Sequence, residues 1–484
     1  MDLVSLSSRL PSVEKPDFRL SFGQKLKWTA VILLLYFVLG SVTVYGVEET
    51  AFEKFEFLEI IFGSKFGSLI TLGIGPIVTA SIILQLLVGS KVLDWDTRTP
   101  EGRAKFTSTQ KLLAVFFSFF EAAAYVMAGA VPVSSPSLVP FVILQLALGG
   151  IIVILMDEVC SKWGFGSGVS LFIAAGVSKT IFVRLFSPVE GSGSVLLGLV
   201  TYLSAGEPAE ALRSLLPLIA LLTVFVIVVF AQNMKIEIPM AITMPFGRFA
   251  ARRWPLRFIY TSNIPVILTA ALLANLQLMG AAVPALKPVA EFLRAPGQEE
   301  ALGLKFAIIV SGLFALAFAG LSRLFGKYTL RMTLLGGVLG FAVGAIVGPA
   351  TGAIPEILLS DVLRALAYSS VMILGSVMFS IFWVNTAGMD AKTVAEQFKS
   401  SYLSLPGFRR DPRIIERILE RYIPPLAVLG GAFVGFLAAF ADLTGAIGTG
   451  TGILLTVMIV HQFYEQITRQ HLEDIHPAVR KVIG

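Results

Sequence analysis

Long apolar blocks alternate with short polar ones along the whole chain. The apolar blocks run approximately over 28–47, 69–89, 109–131, 138–160, 168–186, 211–232, 260–283, 306–322, 332–349, 362–384, 423–441 and 447–464. A helix crossing a bilayer needs about 20 apolar residues at about 1.5 Å of rise each. The pattern therefore predicts an all-α, polytopic membrane protein with twelve membrane segments. One block carries a flaw: 69–89 reads LITLGIGPIVTASIILQLLVG, with Gly-x-Gly-Pro inside it. Pro76 has no N–H to give a helix and clashes with the preceding turn, so the spacing predicts a broken span. Broken backbone at membrane depth is tolerated only where protein or a cavity surrounds it, so this segment is expected to line something.

Composition agrees with the pattern. The chain is 55% hydrophobic and 14% charged, with mean hydropathy +0.81, against roughly 25% charged in soluble domains. Charge placement then gives an expected orientation. Lys and Arg collect in 1–27, in 90–108 (Lys91, Arg98, Arg103, Lys105), in 233–257 and in 385–422, whereas 187–210 carries Glu190, Glu207 and Glu210 with no Lys or Arg. Positive loops stay cytoplasmic, so both termini are expected in the cytoplasm of a cell with this protein in its plasma membrane. The net charge of +6 is then mostly topology and calls for no nucleic-acid partner by itself. Residues 1–27 lack the apolar core of a cleavable signal, and Leu3, Leu6 and Leu10 suit a face lying on the membrane.

Catalytic and cofactor signals are missing. Cys160 is the sole cysteine, and His461, His471 and His476 have no ligand spacing, so neither a disulfide nor a metal site is expected. There is no His-Glu-x-x-His, and the nearest phosphate-loop match fails because Tyr328 follows Gly326-Lys327. The run GAIGTGTG at 445–452 opens an apolar block, which suits close helix contact better than a nucleotide cradle. No cofactor is expected, and energy for any transport must come from outside the chain.

Polar residues inside apolar blocks are few: Glu121 in VFFSFFEAAAYV, Asn275 in AALLANLQLMG, and Thr79. Each alone fits interhelical hydrogen bonding, although an intramembrane carboxylate is a functional candidate by default. In 52–68, Phe55, Leu58 and Phe62 recur at helical spacing among Glu and Lys. They form an amphipathic helix that either lies on the outer membrane face or folds into a cavity as a stopper. The loop 233–257 suits two extended arms around a turn, and 385–422 holds one apolar helical face of Ile414, Ile415, Ile418 and Leu419. Their arginines, Arg248, Arg252, Arg253, Arg409 and Arg410 among them, suit a phosphate-rich docking partner such as a ribosome.

Seven segments, in order, resemble the SecY family, the channel-forming subunits of the Sec protein translocon, leaning to its archaeal and eukaryotic branch. They are LGIGPIVTASIILQLL at 72–87, FGSGVSLFIAAGVS at 165–178, EIPM at 237–240, SNIPVILTAAL at 262–272, PGFRR at 406–410, RYIPPL at 421–426 and GTGILLTVMIVHQFYEQ at 450–466. The resemblance implies ten spans in two inverted halves, 28–186 and 211–464, hinged through an external 187–210, with a cytoplasmic tail at 465–484. It implies a passive channel that translocates unfolded polypeptide and releases apolar segments sideways into lipid. By the family's motifs the pore ring falls on Ile74, Val78, Val169, Ile173, Ile267 and Leu455. The lateral gate falls on Thr79, Glu121 and Asn275, and the plug on Phe55, Leu58 and Phe62. Implied partners are SecE-like and small beta-type single-span subunits, the ribosome, signal sequences and nascent polypeptides. A secondary transporter also uses broken helices and inverted repeats, but it should place polar binding groups at mid-membrane. An intramembrane protease would need paired catalytic residues that the spans lack.

One part of the pattern lies outside the resemblance. The family has an external loop where this chain has 306–322 and 332–349. The basic connector between them (Arg323, Lys327, Arg331) predicts an inserted hairpin, 306–349, whose turn is cytoplasmic. Gly336, Gly340 and Gly344 recur at i+4 and predict close packing of its two helices at the periphery.

Overall fold

The computed structural model describes residues 11–18, 20–48, 65–97, 99–187, 194–243, 249–261, 263–295, 302–324, 330–350, 358–400, 403–404 and 412–475. A helix stands in each of the twelve apolar blocks. Ten follow the two halves: α1 (Phe22–Leu39), α2 (Gly75–Gly89), α3 (Pro100–Met127), α4 (Val139–Trp163) and α5 (Gly168–Phe186), then α7 (Pro208–Gln232), α8 (Ile264–Ala282), α12 (Leu359–Thr386), α15 (Ile423–Leu443) and α16 (Gly450–Ile475). The inserted pair is α10 (Leu302–Leu324) and α11 (Leu330–Ala350). Short helices fill connectors: α6 (Val195–Ser204), α9 (Lys287–Phe292), α13 (Ala391–Ser400) and α14 (Pro412–Leu419).

Local chemistry explains where these helices start. Before α1, Ser21 forms a capping box: its hydroxyl accepts from the Gln24 N–H, and the Gln24 side chain accepts from the Ser21 N–H. That extends α1 back to Phe22, six residues before the apolar block begins. The expectation that Pro76 breaks a span is corrected. Pro76 sits in the first turn of α2, where its missing N–H is no loss. Residues 69–74 are instead irregular backbone, and Ile70, Leu72 and Ile74 are buried there. Protein therefore does cover the non-helical stretch, as membrane depth demands. The Gly149 Cα lies against the Leu69 carbonyl, where any side chain would collide, and Leu72 rests on Gly150. Gly149 and Gly150 thus open α4 to receive this chain.

Within the expected hinge, 187–210, part of the chain is helical. The apolar run VLLGLVTYLS forms α6, which packs back on α7. The core of the bundle joins α2, α4, α5, α8, α12, α15 and α16 in one buried apolar cluster, with Tyr36 of α1 stacked on Phe172 of α5 at 4.9 Å.

The inserted pair is an antiparallel hairpin. Side chains on Gly336, Gly340 and Gly344 would run into Phe318 and Phe314, then Val310, then Ala307. The descending partners give the antiparallel sense, and the glycines let the backbones approach. Ser311 Oγ donates to the Gly337 carbonyl at 2.8 Å. The pair docks through Gly312 onto Thr223 of α7 and Phe440 of α15, while Leu334, Leu335, Val338 and Ile346 of α11 face outward. None of its residues joins the ring described below.

The two basic loops share one sheet. β1 (Lys235–Thr243) pairs antiparallel with β2 (Phe249–Arg257) in a register running from Lys235 opposite Arg257 to Thr243 opposite Phe249. β3 (Leu403–Ser404), from the other loop, adds to β1 opposite Ala241 and Ile242. Ile238 and Leu256 at the base of this ribbon pack with Ile415 and Leu419 of α14 and with α13. An Arg257–Glu465 ion pair ties β2 to α16, and the Tyr260 hydroxyl donates to the Met389 carbonyl at 2.8 Å. Burial, with Asp390 nearby, pushes that hydroxyl up to about 12, so it stays a donor at neutral pH.

Candidate pore ring and lateral seam

α2, α5, α8 and α16 surround the middle of the molecule, and each offers branched aliphatic side chains there. Ile74 immediately precedes α2 and Val78 lies in its first turn; Val169 and Ile173 lie on α5, Ile267 on α8 and Leu455 on α16. The i,i+4 spacing sets Val169 and Ile173 on one face of their helix. Ile74, Val78, Ile173, Ile267 and Leu455 are buried in a single cluster, and Val169 packs against it partly buried. Five of the six residues expected for the ring thus belong to one large buried apolar cluster that draws on both halves, and the sixth, Val169, packs against it.

Val78, Val169 and Ile267 also line an open cavity of about 480 Å³. Its walls add Gln85, Gln110, Ser170, Asn263 and Gln462. The cavity lies at the end of the bundle that carries the β sheet, since the base of that sheet is tied to α16 near Gln462. Aliphatic and polar side chains thus share its walls. Sequence reading did not single out Gln85, Gln110 or Gln462. Their signal was present as lone amides in apolar or amphipathic helical runs.

The polar residues of α2, α3 and α8 meet beside the ring. Thr79 Oγ1 donates to Glu121 Oε1 at 2.6 Å, and Asn275 Nδ2 donates to Thr79 Oγ1 at 3.2 Å. The hydroxyl has one proton and two lone pairs, so its bond to Glu121 leaves it free to accept from Asn275. Glu121 is buried and stays within the first half, on α3, whereas Asn275 belongs to the second half. Only the Asn275–Thr79 bond of this triad crosses between halves, with Glu121 holding the hydroxyl in place. A second bond, from Gln110 Nε2 to Ser81 Oγ at 2.5 Å, fastens α3 to α2. Further along, Gly89 of α2 rests against the ring of Phe382 on α12. Apolar packing and the Asn275–Thr79 bond both join α2 to the pair α8 and α12.

The plug residues Phe55, Leu58 and Phe62 lie outside the described residues, as do Arg248, Arg409 and Arg410. Arg252 and Arg253 fall on β2, opposite Met240 and Pro239. Arg409 and Arg410 belong to the seven residues, 405–411, that join β3 to α14. Among the described residues there is no cluster of His, Cys, Asp and Glu able to hold a metal.

Comparison with known proteins agrees with the motifs. The SecY family model matches residues 68–464. The protein translocase subunit SecY of Methanothermobacter thermautotrophicus is 41% identical, over 99% of this chain and 98% of that one. The corresponding subunit of Methanocaldococcus jannaschii is also 41% identical, over 100% of this chain and 99% of the other. Among solved structures, one described as a protein conducting channel superposes with a TM-score of 0.76 at 38% identity, covering 99% of both chains. Sec61 in the canine ribosome–channel complex gives 0.72, again at 38% identity and 99% coverage of each. Matched over nearly its whole length by those relatives and by the family model, this chain belongs to the SecY family.

Proposed function

We propose that this multi-pass membrane protein is a passive protein-conducting channel, through which unfolded polypeptide crosses the bilayer and from which apolar segments leave sideways. The observation that carries the reading is the set of buried aliphatic side chains drawn from both halves, of which Val78, Val169 and Ile267 line a cavity whose other walls are largely polar. A ring of Ile, Val and Leu gives water and ions no hydrogen-bond partner, so it dewets and seals when narrow. The same side chains have no directional demands, so they yield around a passing chain of any sequence. The three ring candidates that line the cavity, Val78, Val169 and Ile267, are aliphatic and offer a solute no binding group.

The seam supplies the sideways exit. A bond between transmembrane helices contributes about 0.6 kcal/mol on average, and burying one CH2 contributes about 0.8 kcal/mol. An entering apolar signal sequence therefore outweighs the Asn275–Thr79 bond with very little of its own surface. Segment 52–68, with Phe55, Leu58 and Phe62, serves as plug on the far side of the ring. Both basic loops are cytoplasmic, as are both termini, and the loop arginines Arg248, Arg252, Arg253, Arg409 and Arg410 serve to dock a ribosome. SecE-like and beta-type single-span subunits complete the assembly, and 187–210 is the external hinge between halves.

Reconstitution tests the reading. The chain, purified from native membrane with its small subunits, is placed in proteoliposomes and offered ribosome-bound nascent chains with or without an apolar signal. Protease protection of the signal-bearing chain alone is the expected result. Equal exposure of both would overturn the channel assignment.

A further inference from the structure

We infer that Asp157 and Asp442 are a symmetry-related pair of clamps that position the pore ring by fixing where α5 and α16 begin. The inference rests on the ring described above and adds to it the groups that hold it in register.

Each aspartate lies near the end of the helix that precedes a ring helix. Asp157 is in the last two turns of α4, and its Oδ1 accepts from the Val169 N–H at 2.9 Å and from Ser167 Oγ at 3.4 Å. The neighbouring Gly168 amide bonds to the same carboxylate. Asp442 is in the last turn of α15, and its Oδ1 accepts from the Thr451 N–H at 2.7 Å. Its Oδ2 accepts from the Tyr368 hydroxyl of α12 at 2.6 Å and from the Thr451 hydroxyl, and the Gly450 amide bonds to this carboxylate too. In both halves, then, a carboxylate, buried at Asp442 and half-buried at Asp157, takes the first two amides of the next helix and a hydroxyl from its first turn or cap.

The sequences entering the two ring helices also correspond, although Asp157 stands twelve residues before its clamped amide and Asp442 nine. GFGSGVSLFI at 164–173 and IGTGTGILL at 447–455 align with Ser167 on Thr449, Gly168 on Gly450, Val169 on Thr451 and Ile173 on Leu455. Gly166 and Gly448, which fall together, both have positive φ, at 67° and 76°, a turn that strains any other residue. Gly168 and Gly450, which also fall together, both lie against the end of the preceding helix. A side chain would meet Asp157 Cα at 2.7 Å in one and the Ala441 carbonyl group in the other. The ring residues Ile173 and Leu455 each stand four residues, about one turn, beyond the clamped amide. Because the halves are inverted, the clamps sit at opposite ends of the bundle. Asp157 lines the cavity beside Gln462 and Gln466, which are remote along α16 from Gly450.

This geometry has a direct consequence for the seal. A helix start leaves amide groups without partners, and a buried start needs an acceptor there. The carboxylates provide it and also meet the positive end of each helix dipole. If the start slipped by one residue, the following side chains would rotate by about 100° and shift about 1.5 Å along the axis. Ile173 or Leu455 would then leave the ring. The aspartates act on the ring through the backbone amides of α5 and α16, so they are positioning residues.

The test measures resting KCl current through the full complex in planar bilayers. The variants are Asp157→Ala, Asp442→Ala and Asp157→Asn, beside an Ile74→Gly, Val78→Gly, Ile173→Gly ring control. Each alanine variant is expected to raise resting current about fivefold or more. Asp157→Asn keeps the one oxygen that makes the assigned contacts and is expected to stay within about twofold of the parent. Alanine variants as tight as the parent, beside a leaking ring control, would overturn the clamp and leave the ring reading standing. Leaking alanine variants beside a tight ring control would overturn both, since the leak would not pass through the ring. An asparagine variant as leaky as alanine would show that charge, not the acceptor, matters, and would overturn the clamp. If the alanine variants do not accumulate, Ser167→Ala and Thr451→Val each remove one hydroxyl donor, and a smaller, about twofold rise is expected. Parental tightness in both would count against the proposal.

Discussion

The Asn275–Thr79 bond gives a quantitative prediction. Thr79→Val and Asn275→Leu each remove the only bond of the triad that crosses the seam. At an average of about 0.6 kcal/mol for such a bond, the closed seam loses about threefold in its equilibrium against the open one. The Thr79–Glu121 bond joins two helices of the same half, so it survives opening and drops out of the difference. The two substitutions act on one interaction, so the double variant should also shift the equilibrium about threefold, not about ninefold. Because one buried CH2 contributes about 0.8 kcal/mol, the shift equals slightly less than one methylene of signal hydrophobicity. A translocation assay over signals differing by single Leu→Val steps reads this directly. Each variant should accept a signal about one step less apolar than the parent accepts. An unshifted threshold in both single variants would refute the gate assignment. A multiplicative double variant would show that the residues act separately rather than through their shared bond.

Four further outcomes are expected. Replacing Ile74, Val78 and Ile173 together by Gly should raise resting conductance in planar bilayers, because wetting of the ring becomes favourable. Arg409→Glu with Arg410→Glu should weaken ribosome binding in co-sedimentation at moderate salt, and unchanged binding would reduce these arginines to topology markers. A cysteine at Tyr328, in a Cys160→Ala background, should react with impermeant thiol reagents from the cytoplasmic side only. In the hairpin, Gly340→Ala would place its Cβ 2.7 Å from the Val310 carbonyl and should cost about 1–3 kcal/mol of stability. Gly337→Ala meets Ser311 Oγ at an ordinary 3.6 Å and should leave the thermal midpoint in detergent unchanged.

The sequence shows most clearly what depends on period and contrast. Every apolar block became a helix because lipid leaves the backbone few alternatives. Thr79, Glu121 and Asn275 were visible because a polar residue is conspicuous in an apolar run, and they proved to be hydrogen-bonded to one another. Pro76 misled because a proline at a helix start and one inside a helix read alike until the start is known. β3 has two residues, and its pairing with β1 spans more than 160 positions, too little local signal for any pattern. Asp157 and Asp442 escaped notice for a different reason. They lie near span ends, where an acidic residue looks like loop charge, and only the structure shows them turned inward to cap a neighbouring helix.

The short pairing that closes the base of the proposed plug also limits how far it can move. The Val44 N–H donates to the Gly67 carbonyl at 2.9 Å, the Leu69 N–H to the Val42 carbonyl at 3.0 Å, and the Glu48 N–H to the Pro132 carbonyl at 3.1 Å. The chain is thus fastened to the bundle at Val44 and Glu48 before the proposed plug and at Gly67 and Leu69 where it closes. A plug held at both ends can be displaced without any helix letting go, and its fastened ends keep it close to the opening it must return to.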